Sequence, residues 1–354
     1  MSDRRLRPAS GGGEGSGVQQ VSGRRLSRLV GSFPKLRVLV VGDFMLDQFV
    51  FGQVRRISPE APVPVVRMTG EEFRAGGAGN VVSNVRAMGG RVAAAGVVGR
   101  DASGRQLVAA LGAIGADVGG LIASPHVATI RKTRIIAHQQ QLVRVDREDG
   151  RQLDERVATR LVRDVLGRVD RHAAVVVSDY GKGTITAPLL AALAARQSAR
   201  PFVWIVDPKR ANFERYRGAT VIKPNLEEAS AASGIEITDR RSLGEAGQRL
   251  LELWQSQAVL ISRGEDGMSL FKQPGVVRHF GTAARDVYDV TGAGDTAIAA
   301  CALALAAGGS FEEAAVLANL AAGVAVAHVG TVAVTDAQLR QAIRAAEGDG
   351  ICAA

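Results

Sequence analysis

The stretch Asp286-Val287-Tyr288-Asp289-Val290-Thr291-Gly292-Ala293-Gly294-Asp295-Thr296 gathers residue types that handle an anion. Gly292, Ala293 and Gly294 have almost no side chains. A carboxylate, Asp295, follows, and then an almost purely apolar run from Ala297 to Ala307 that reads as a buried helix. A bare loop at a helix start presents unpaired N–H groups and the positive end of the helix dipole. Asp295, at the loop's exit, is placed to take a proton from a group attacking the bound anion. Alone, these residues are equally a tight strand–helix turn with an aspartate favourable to the dipole. The rest of the chain decides between the two.

Asp43 ends a short apolar run beginning at Leu36, and Asp47 follows. Such a run is a buried strand, and ligands of open α/β sheets bind beyond the carboxyl ends of the strands. Both aspartates are placed to accept hydrogen bonds from a polyol, although Asp43 is also of a turn-capping type. In Gly76-Gly77-Ala78-Gly79-Asn80 the glycines admit close backbone approach and Asn80 offers hydrogen bonds to a sugar. A dinucleotide fingerprint fails there, because valine stands where the third small residue belongs. Further polar turns are Ser178-Asp179-Tyr180-Gly181-Lys182-Gly183, Asp207-Pro208-Lys209, Lys223-Pro224-Asn225-Leu226-Glu227-Glu228 and Ser262-Arg263-Gly264-Glu265-Asp266-Gly267. Basic residues are overwhelmingly arginine. Of six lysines, Lys182, Lys209 and Lys223 fall in these turns, where a compact ammonium suits a phosphate. Arg134 and Arg144 are further cationic candidates.

No His/Cys metal spacing, Ser-His-Asp set or G-x-x-x-x-G-K-[ST] loop is present. What remains suits phosphoryl transfer to a hydroxyl, which needs positioning and charge stabilisation more than covalent chemistry. In this reading Asp295 is the base, and the N–H groups of Gly292 to Gly294 hold the phosphoryl oxygens. Asn225 and Glu228 organise Mg²⁺ through water.

The elements that must position these groups follow from pattern. From Leu153 helices and short apolar strands alternate, with strands at Ala174–Ser178, Phe202–Val206, Thr220–Ile222 and Val259–Ser262. That alternation gives one doubly wound, mostly parallel sheet with the polar turns along one edge. Residues 48–69, broken by Pro59, Pro62 and Pro64, and residues 128–146 alternate like the strands of a separate β lid. Residues 1–33 read as a disordered Gly/Arg-rich tail, at most loosely helical near 18–31, ahead of one kinase-sized domain over 34–348. Eight basic residues against two acidic ones place +6 of the net +9 charge within residues 1–37. The remaining body is near neutral and without interleaved aromatics, which argues against a nucleic-acid partner. No apolar stretch approaches the ~20 residues of a membrane span, and the N-terminus has no signal-peptide core. Cys301 and Cys352 fit no metal or redox spacing, which points to the cytoplasm.

Gly-Gly-x-Gly-Asn early, Asn-x-x-Glu in the middle and Asp-x-Thr-Gly-Ala-Gly-Asp late resemble the ribokinase-like (PfkB) sugar kinases, from about Leu36 onward. The strings Arg56-Ile57-Ser58-Pro59-Glu60-Ala61-Pro62-Val63-Pro64-Val65-Val66 and Phe213-Glu214-Arg215-Tyr216-Arg217-Gly218-Ala219-Thr220, together with the 178–183 and 207–209 turns, look like the bacterial heptose 7-phosphate branch. The resemblance implies a ribokinase-like three-layer α/β/α sandwich with a small β lid that mediates a homodimer. It implies ATP-dependent phosphorylation of D-glycero-β-D-manno-heptose 7-phosphate at C1, on the path to lipopolysaccharide core heptose; other sugar or sugar-phosphate acceptors (ribose, fructose, fructose phosphate) are the alternative. By motif, Asp295 is the base and Gly292, Ala293 and Gly294 the anion hole. Asn225, Leu226, Glu227, Glu228, Ser262, Gly264, Gly267 and Asn319 lie on the ATP side, with Mg²⁺ near Glu228 and K⁺ near Asp289. Asp43, Asp47, Gly76, Gly77, Asn80, Arg134, Arg144, Asp179, Lys182 and Lys209 lie on the sugar side. Many relatives continue into a nucleotidyltransferase domain; this sequence ends at Ala354 without a His-x-Gly-His string, so a kinase without that domain is expected.

Overall fold

Leu26, Leu29, Val30 and Phe33 recur at helical spacing, and each is buried. In the computed structural model, which describes residues 21–349 apart from 139, 151, 152, 274, 285 and 329, they lie on or just beyond helix α1 (Gly23–Ser32). Arg25 pairs with Glu313 at 3.0 Å, and Arg340 donates to the Ser27 carbonyl, so the helix is fastened to the body at both flanks. The expectation of a segment that is disordered to residue 33, or at most loosely helical near 18–31, is thus corrected to a docked helix. Its apolar stripe needed a surface to bury, and the body provides one. Residues 1–20, with the rest of the basic tail, and Cys352 lie outside the described residues.

From α1 the chain enters β1 (Arg37–Gly42), leaves in a long hairpin of β2 (Phe44–Ile57) and β3 (Pro64–Gly77), and returns through α2 (Ala78–Ala87), β4 (Arg91–Gly99), α3 (Ala102–Ala113) and β5 (Asp117–Ser124). A second hairpin, β6 (Ile130–Ala137) and β7 (Gln140–Arg147), precedes α4 (Glu155–Val169), β8 (Ala174–Ser178), α5 (Ala187–Ala199) and β9 (Val203–Asp207). Then come β10 (Val221–Ile222), α6 (Leu226–Ser233), α7 (Arg240–Trp254) and β11 (Ala258–Ser262). The chain closes with the pair β12 (Met268–Lys272) and β13 (Val276–Phe280) and helices α8 (Ala293–Ala306), α9 (Phe311–Val326) and α10 (Asp336–Asp349).

Nine strands form the central sheet, in the order β13-β12-β11-β10-β9-β8-β1-β4-β5. Neighbours are parallel from β11 to β5, whereas β12 and β13 add on antiparallel. Alternate side chains enter opposite layers, as a pleated strand requires. Val38, Val40 and Val176 pack beneath α1, α2, α8 and α9; Leu39, Val41 and Val177 pack beneath α4, α5 and α7. This is the expected three-layer sandwich. Small residues let α8 and α9 lie close together: Ala297, Ala300, Ala304, Ala314 and Ala318 are all fully or almost fully buried.

The lid is a second sheet, ordered β3-β2-β6-β7. Its strands start and end nearer the body than the 48–69 and 128–146 bounds suggested. β2 leaves directly from the end of β1, and β3 runs into α2 through Gly77 (φ +57°). Pro64 opens the edge strand β3, where a missing N–H is tolerated.

Candidate active site

Gly292 caps α8 with a left-handed backbone (φ +81°), a conformation that favours glycine. That turn leaves the N–H groups of Gly292, Gly294 and Asp295 without an acceptor among the described residues, while the Ala293 N–H turns back to the Val290 carbonyl at 3.3 Å. Of the donors expected over Gly292, Ala293 and Gly294, the Ala293 N–H is thus already engaged, and the Asp295 amide is free beside the other two. Lys223 reaches under the same loop. Its Nζ is buried, bonds Asp207 at 3.0 Å and lies 3.5 Å from where a Cβ on Gly294 would stand. A fixed ammonium beneath three free amides makes a strong seat for a phosphoryl group.

The Asp295 side chain is buried, and both of its oxygens are held. Tyr180 Oη–H donates to Oδ1 at 2.7 Å and Asn80 Nδ2–H to Oδ2 at 2.8 Å. Burial raises its pKa from 3.8 to about 7, against the lowering pull of the two hydrogen bonds. Such a carboxyl exchanges a proton near neutral pH, as a general base should. Tyr180 is itself driven well above 10 by burial and by Asp295, so it remains a donor. Asn84, one turn beyond Asn80 on α2, donates to the Asn80 Oδ1 at 3.2 Å and so fixes which end of that amide faces Asp295.

On the sugar side the chain uses its aspartates in three ways. Asp43 staples the 180–184 loop: Tyr180 and Lys182 N–H donate to one oxygen and Thr184 N–H to the other, at 2.9–3.0 Å. Asp179 is engaged by Asn212, Tyr216 and the Gly181 N–H, and its burial raises its pKa. Both were expected to bind substrate; as placed, both also position the loop that carries Tyr180 and Lys182. Asp47 pairs with Arg134, whose guanidinium lies over the Phe49 ring together with that of Arg74. A Cβ on Gly76 would meet Asp47 Oδ2 at 2.1 Å, so only glycine leaves that carboxylate room. Lys182 bonds Glu148 at 2.6 Å and borders a cavity of about 290 Å³ that also includes Gly181, Thr184 and Ile130. Arg144 does not join this group: it stands on the lid's edge strand β7, its guanidinium forked onto Asp146. Lys209 also turns elsewhere, bonding Glu228 at 2.9 Å.

At the far side of the anion loop, Asn225 and Glu228 form a reciprocal capping box on α6, and Asn225 bridges Ser262 in parallel register. Leu226 and Glu227 occupy the first turn of that helix. Gly264 and Gly267 adopt positive φ, and a Cβ on Gly267 would strike the Phe280 carbonyl at 2.2 Å. Asn319 Nδ2–H donates to the Gly281 carbonyl at 2.6 Å. Gly267 and Asn319 thus hold the segment after β13 in place, and Asn319 acts through that carbonyl. Asp289 accepts from the N–H groups of Thr291 and Gly330, joining the two loops beside Gly292.

Residues 35–338 match the pfkB family carbohydrate kinases. The chain belongs to that family. It is therefore an ATP-dependent carbohydrate kinase with a ribokinase-like fold. It is 48% identical over 315 residues to the bifunctional protein HldE of Geobacter sulfurreducens, covering 89% of this chain and 64% of that protein. It is 48% identical over 304 residues to HldE of Geobacter metallireducens, covering 86% and 62%. The chain thus spans less than two thirds of those relatives. Among solved structures it resembles Arabidopsis thaliana ribokinase complexed with ribose and ATP (TM-score 0.68, 20% identity, 87% of this chain and 99% of that one). It also resembles Escherichia coli phosphofructokinase-2 with fructose-6-phosphate (TM-score 0.72, 21% identity, 88% and 99%). At that identity the two structures speak for the fold.

Three residues of this kinase site were not assigned a role from sequence: Tyr180, Asn84 and Asp207; Lys223 was marked only as one of three turn lysines suited to a phosphate. Tyr180 lies inside a string that had been marked, next to the chosen Asp179. Lys223 follows the short strand β10, and its partner Asp207 at the end of β9 is placed by the sheet alone. Among the described residues no helix is long and apolar enough to cross a membrane.

Proposed function

We propose that this kinase transfers the γ-phosphoryl group of ATP to the C1 hydroxyl of D-glycero-β-D-manno-heptose 7-phosphate, giving the 1,7-bisphosphate and ADP. One observation supports the choice of a phosphorylated sugar. The 180–184 loop, stapled by Asp43, carries at one end the hydroxyl bonded to Asp295 and at the other the ammonium of Lys182 beside a small cavity. A sugar with a reacting hydroxyl at one end and a phosphate at the other has one group for each. The heptose itself is favoured by the lid and loop strings that resemble the heptose branch.

In the reaction Asp295 takes the proton of the C1 hydroxyl. The oxygen forms a bond to the γ-phosphorus as the bond to the β-phosphate oxygen breaks. The free N–H groups of Gly292, Gly294 and Asp295 and the Lys223 ammonium face the charge that develops. The carboxylates of Glu228 and Asp207 stand near the anion loop and would hold hydrated magnesium through water. Magnesium keeps several waters and completes its shell with phosphate oxygens, whose charge it neutralises when bound. Burial raises the Asp289 pKa but hydrogen bonds from Thr291 and Gly330 outweigh it, so this carboxylate stays ionised where K⁺ is proposed. The lid leaves Ile57, Val63, Met68, Val143 and Val145 about half exposed or more, which favours pairing with a second copy in the cytoplasm.

³¹P NMR of the product made from heptose 7-phosphate and ATP tests the proposal. A new sugar phosphate resonance at C1 is expected. Efficient turnover of ribose, fructose or fructose phosphate with none of heptose 7-phosphate would overturn it. Lys182→Ala should raise KM for the phosphorylated sugar by about tenfold, the effect of losing one charge-assisted bond, and leave KM for ATP within about twofold.

A further inference from the structure

The opposite edge of the sheet carries a second concentration of charge that catalysis does not use. β1 and β4 begin with Arg37 and Arg91, which are direct partners in parallel register. By strand alternation both lie on the layer shared with α4. The turn after α4 brings Arg171 alongside, because the Ala173 N–H bonds the Arg37 carbonyl at 2.8 Å. None of these three guanidiniums has an acceptor among the described residues. Together with Arg86, Arg163 and Arg168 they border a groove of about 830 Å³.

Local compensation falls short. Arg168 pairs with Asp117 at 2.9 Å and Arg163 approaches Asp164 at 3.4 Å, but Arg86 donates only to the neutral carbonyls of Ile114 and Gly90. Six guanidiniums against two carboxylates leave +4. The C-termini of α2, α3 and α4 end at this edge and offset about half a charge each, so two to three positive charges remain in excess. His172 adds none: burial and the nearby Arg168 and Arg37 lower its pKa. Like charges side by side on neighbouring strands are destabilising unless an anion joins them.

We propose that this groove is a second anion site, for a small molecule bearing two or more phosphoryl groups. Guanidinium forks match phosphate oxygens in pairs, and adjacent strands set Arg37 and Arg91 about 5 Å apart at the backbone, a spacing that suits linked phosphoryl groups. No Phe, Tyr or Trp lines the groove, so it lacks the stacking platform of a single-stranded nucleic-acid channel.

The test fills the active site with a non-hydrolysable ATP analogue and titrates inorganic pyrophosphate by calorimetry. Wild type should bind one further equivalent, at least tenfold more tightly than orthophosphate. The double variant Arg37→Gln/Arg91→Gln should bind it at least tenfold more weakly while kcat and both KM values stay unchanged. In low-salt, phosphate-free buffer the variant should melt at or above the wild-type temperature, since a repulsive pair has gone, and pyrophosphate should no longer raise its Tm. Equal titration of both proteins, or a variant that melts well below wild type without phosphate, would overturn the proposal. A single-stranded oligonucleotide binding more tightly than pyrophosphate, with a steep salt dependence, would replace it with a nucleic-acid surface.

Discussion

The two sheets of this kinase use the same backbone geometry and opposite strategies. The central strands β1 and β8 are apolar and buried on both faces, with helices on each side. The lid strands are half covered: β7 is exposed along its whole length, and the outer half of β2 is open. Fully burying a Val or Leu contributes ~1.5–3 kcal/mol, so the central sheet is stable without the lid, whereas the lid lacks that support. The proposed base Asp295, its donors and the proposed phosphate seat sit on helix starts and loops packed against the self-sufficient sheet. The lid adds Asp47, Arg134 and the approach to the sugar. Chemistry is thus placed on the rigid element, and substrate choice on the one whose cover must come from elsewhere.

The largest test of that division is Asp295→Asn. Removing a general base should lower kcat by ~10²–10⁴ while ATP binding, measured by calorimetry, survives. A loss of less than tenfold would move the base elsewhere. Stability should change in the opposite sense. The folded-state pKa of Asp295 is raised from 3.8 to about 7, so its stabilising contribution is complete below pH 3.8 and is lost as pH rises through about 7. The buried carboxylate then costs up to ~4 kcal/mol, which the amide does not. Thermal melts of the two proteins should therefore diverge in favour of the variant as pH rises from 3.8 to about 7 and stay a constant distance apart above that.

A smaller effect is expected at the lid. Val143 and Val145, two apart on β7, are 47% and 54% exposed and share a face. If the lid pairs with a second copy as proposed, Val143→Lys/Val145→Lys should leave a monomer in sedimentation runs where the unaltered protein is a dimer. The sugar KM should rise by about tenfold if the partner orders the lid, with the Tm of the body hardly moved, as is usual for surface changes. Unchanged sedimentation would mean that another surface covers the lid, or that none does.

The same contrast explains what the sequence revealed. Uninterrupted apolar runs announced β1 and β8 to β11, and the glycines Gly292 and Gly294 announced the turn into α8, because both are local patterns; β5, β12 and β13 were not named. The lid showed as alternation, but its roots did not: Phe44 to Asp47, with Gly76 and Gly77, are as buried as body strands and blur the boundary. The helix at Gly23–Ser32 was legible in its Leu26, Leu29, Val30 and Phe33 spacing, yet the surrounding arginines and glycines masked it. Roles were harder than places. Asp43 and Asp179 stand at the predicted edge, but their acceptor capacity goes to backbone and side-chain donors fixed only by the fold. The Lys223–Asp207 pair joins adjacent strands, and no spacing along the chain encodes it.

The smallest and most discriminating change is Tyr180→Phe. It leaves the ring and the loop but removes the hydroxyl that donates to Asp295 Oδ1 at 2.7 Å. A carboxylate that loses a donor is a stronger base, so the pKa should climb above about 7. One hydrogen bond to a charged group is worth ~1.5–3 kcal/mol, an upper limit of one to two pH units, and remaining water reduces that. The acid limb of the kcat profile should move to higher pH. At pH 7 turnover should drop severalfold, and at pH 9 it should recover to near wild type. A purely structural tyrosine would lower kcat equally at every pH. Tyr180 hangs on the loop that Asp43 fastens to the body and that Lys182 extends toward the lid, so a shifted limb with an unchanged sugar KM would show that the two halves of the site are separable.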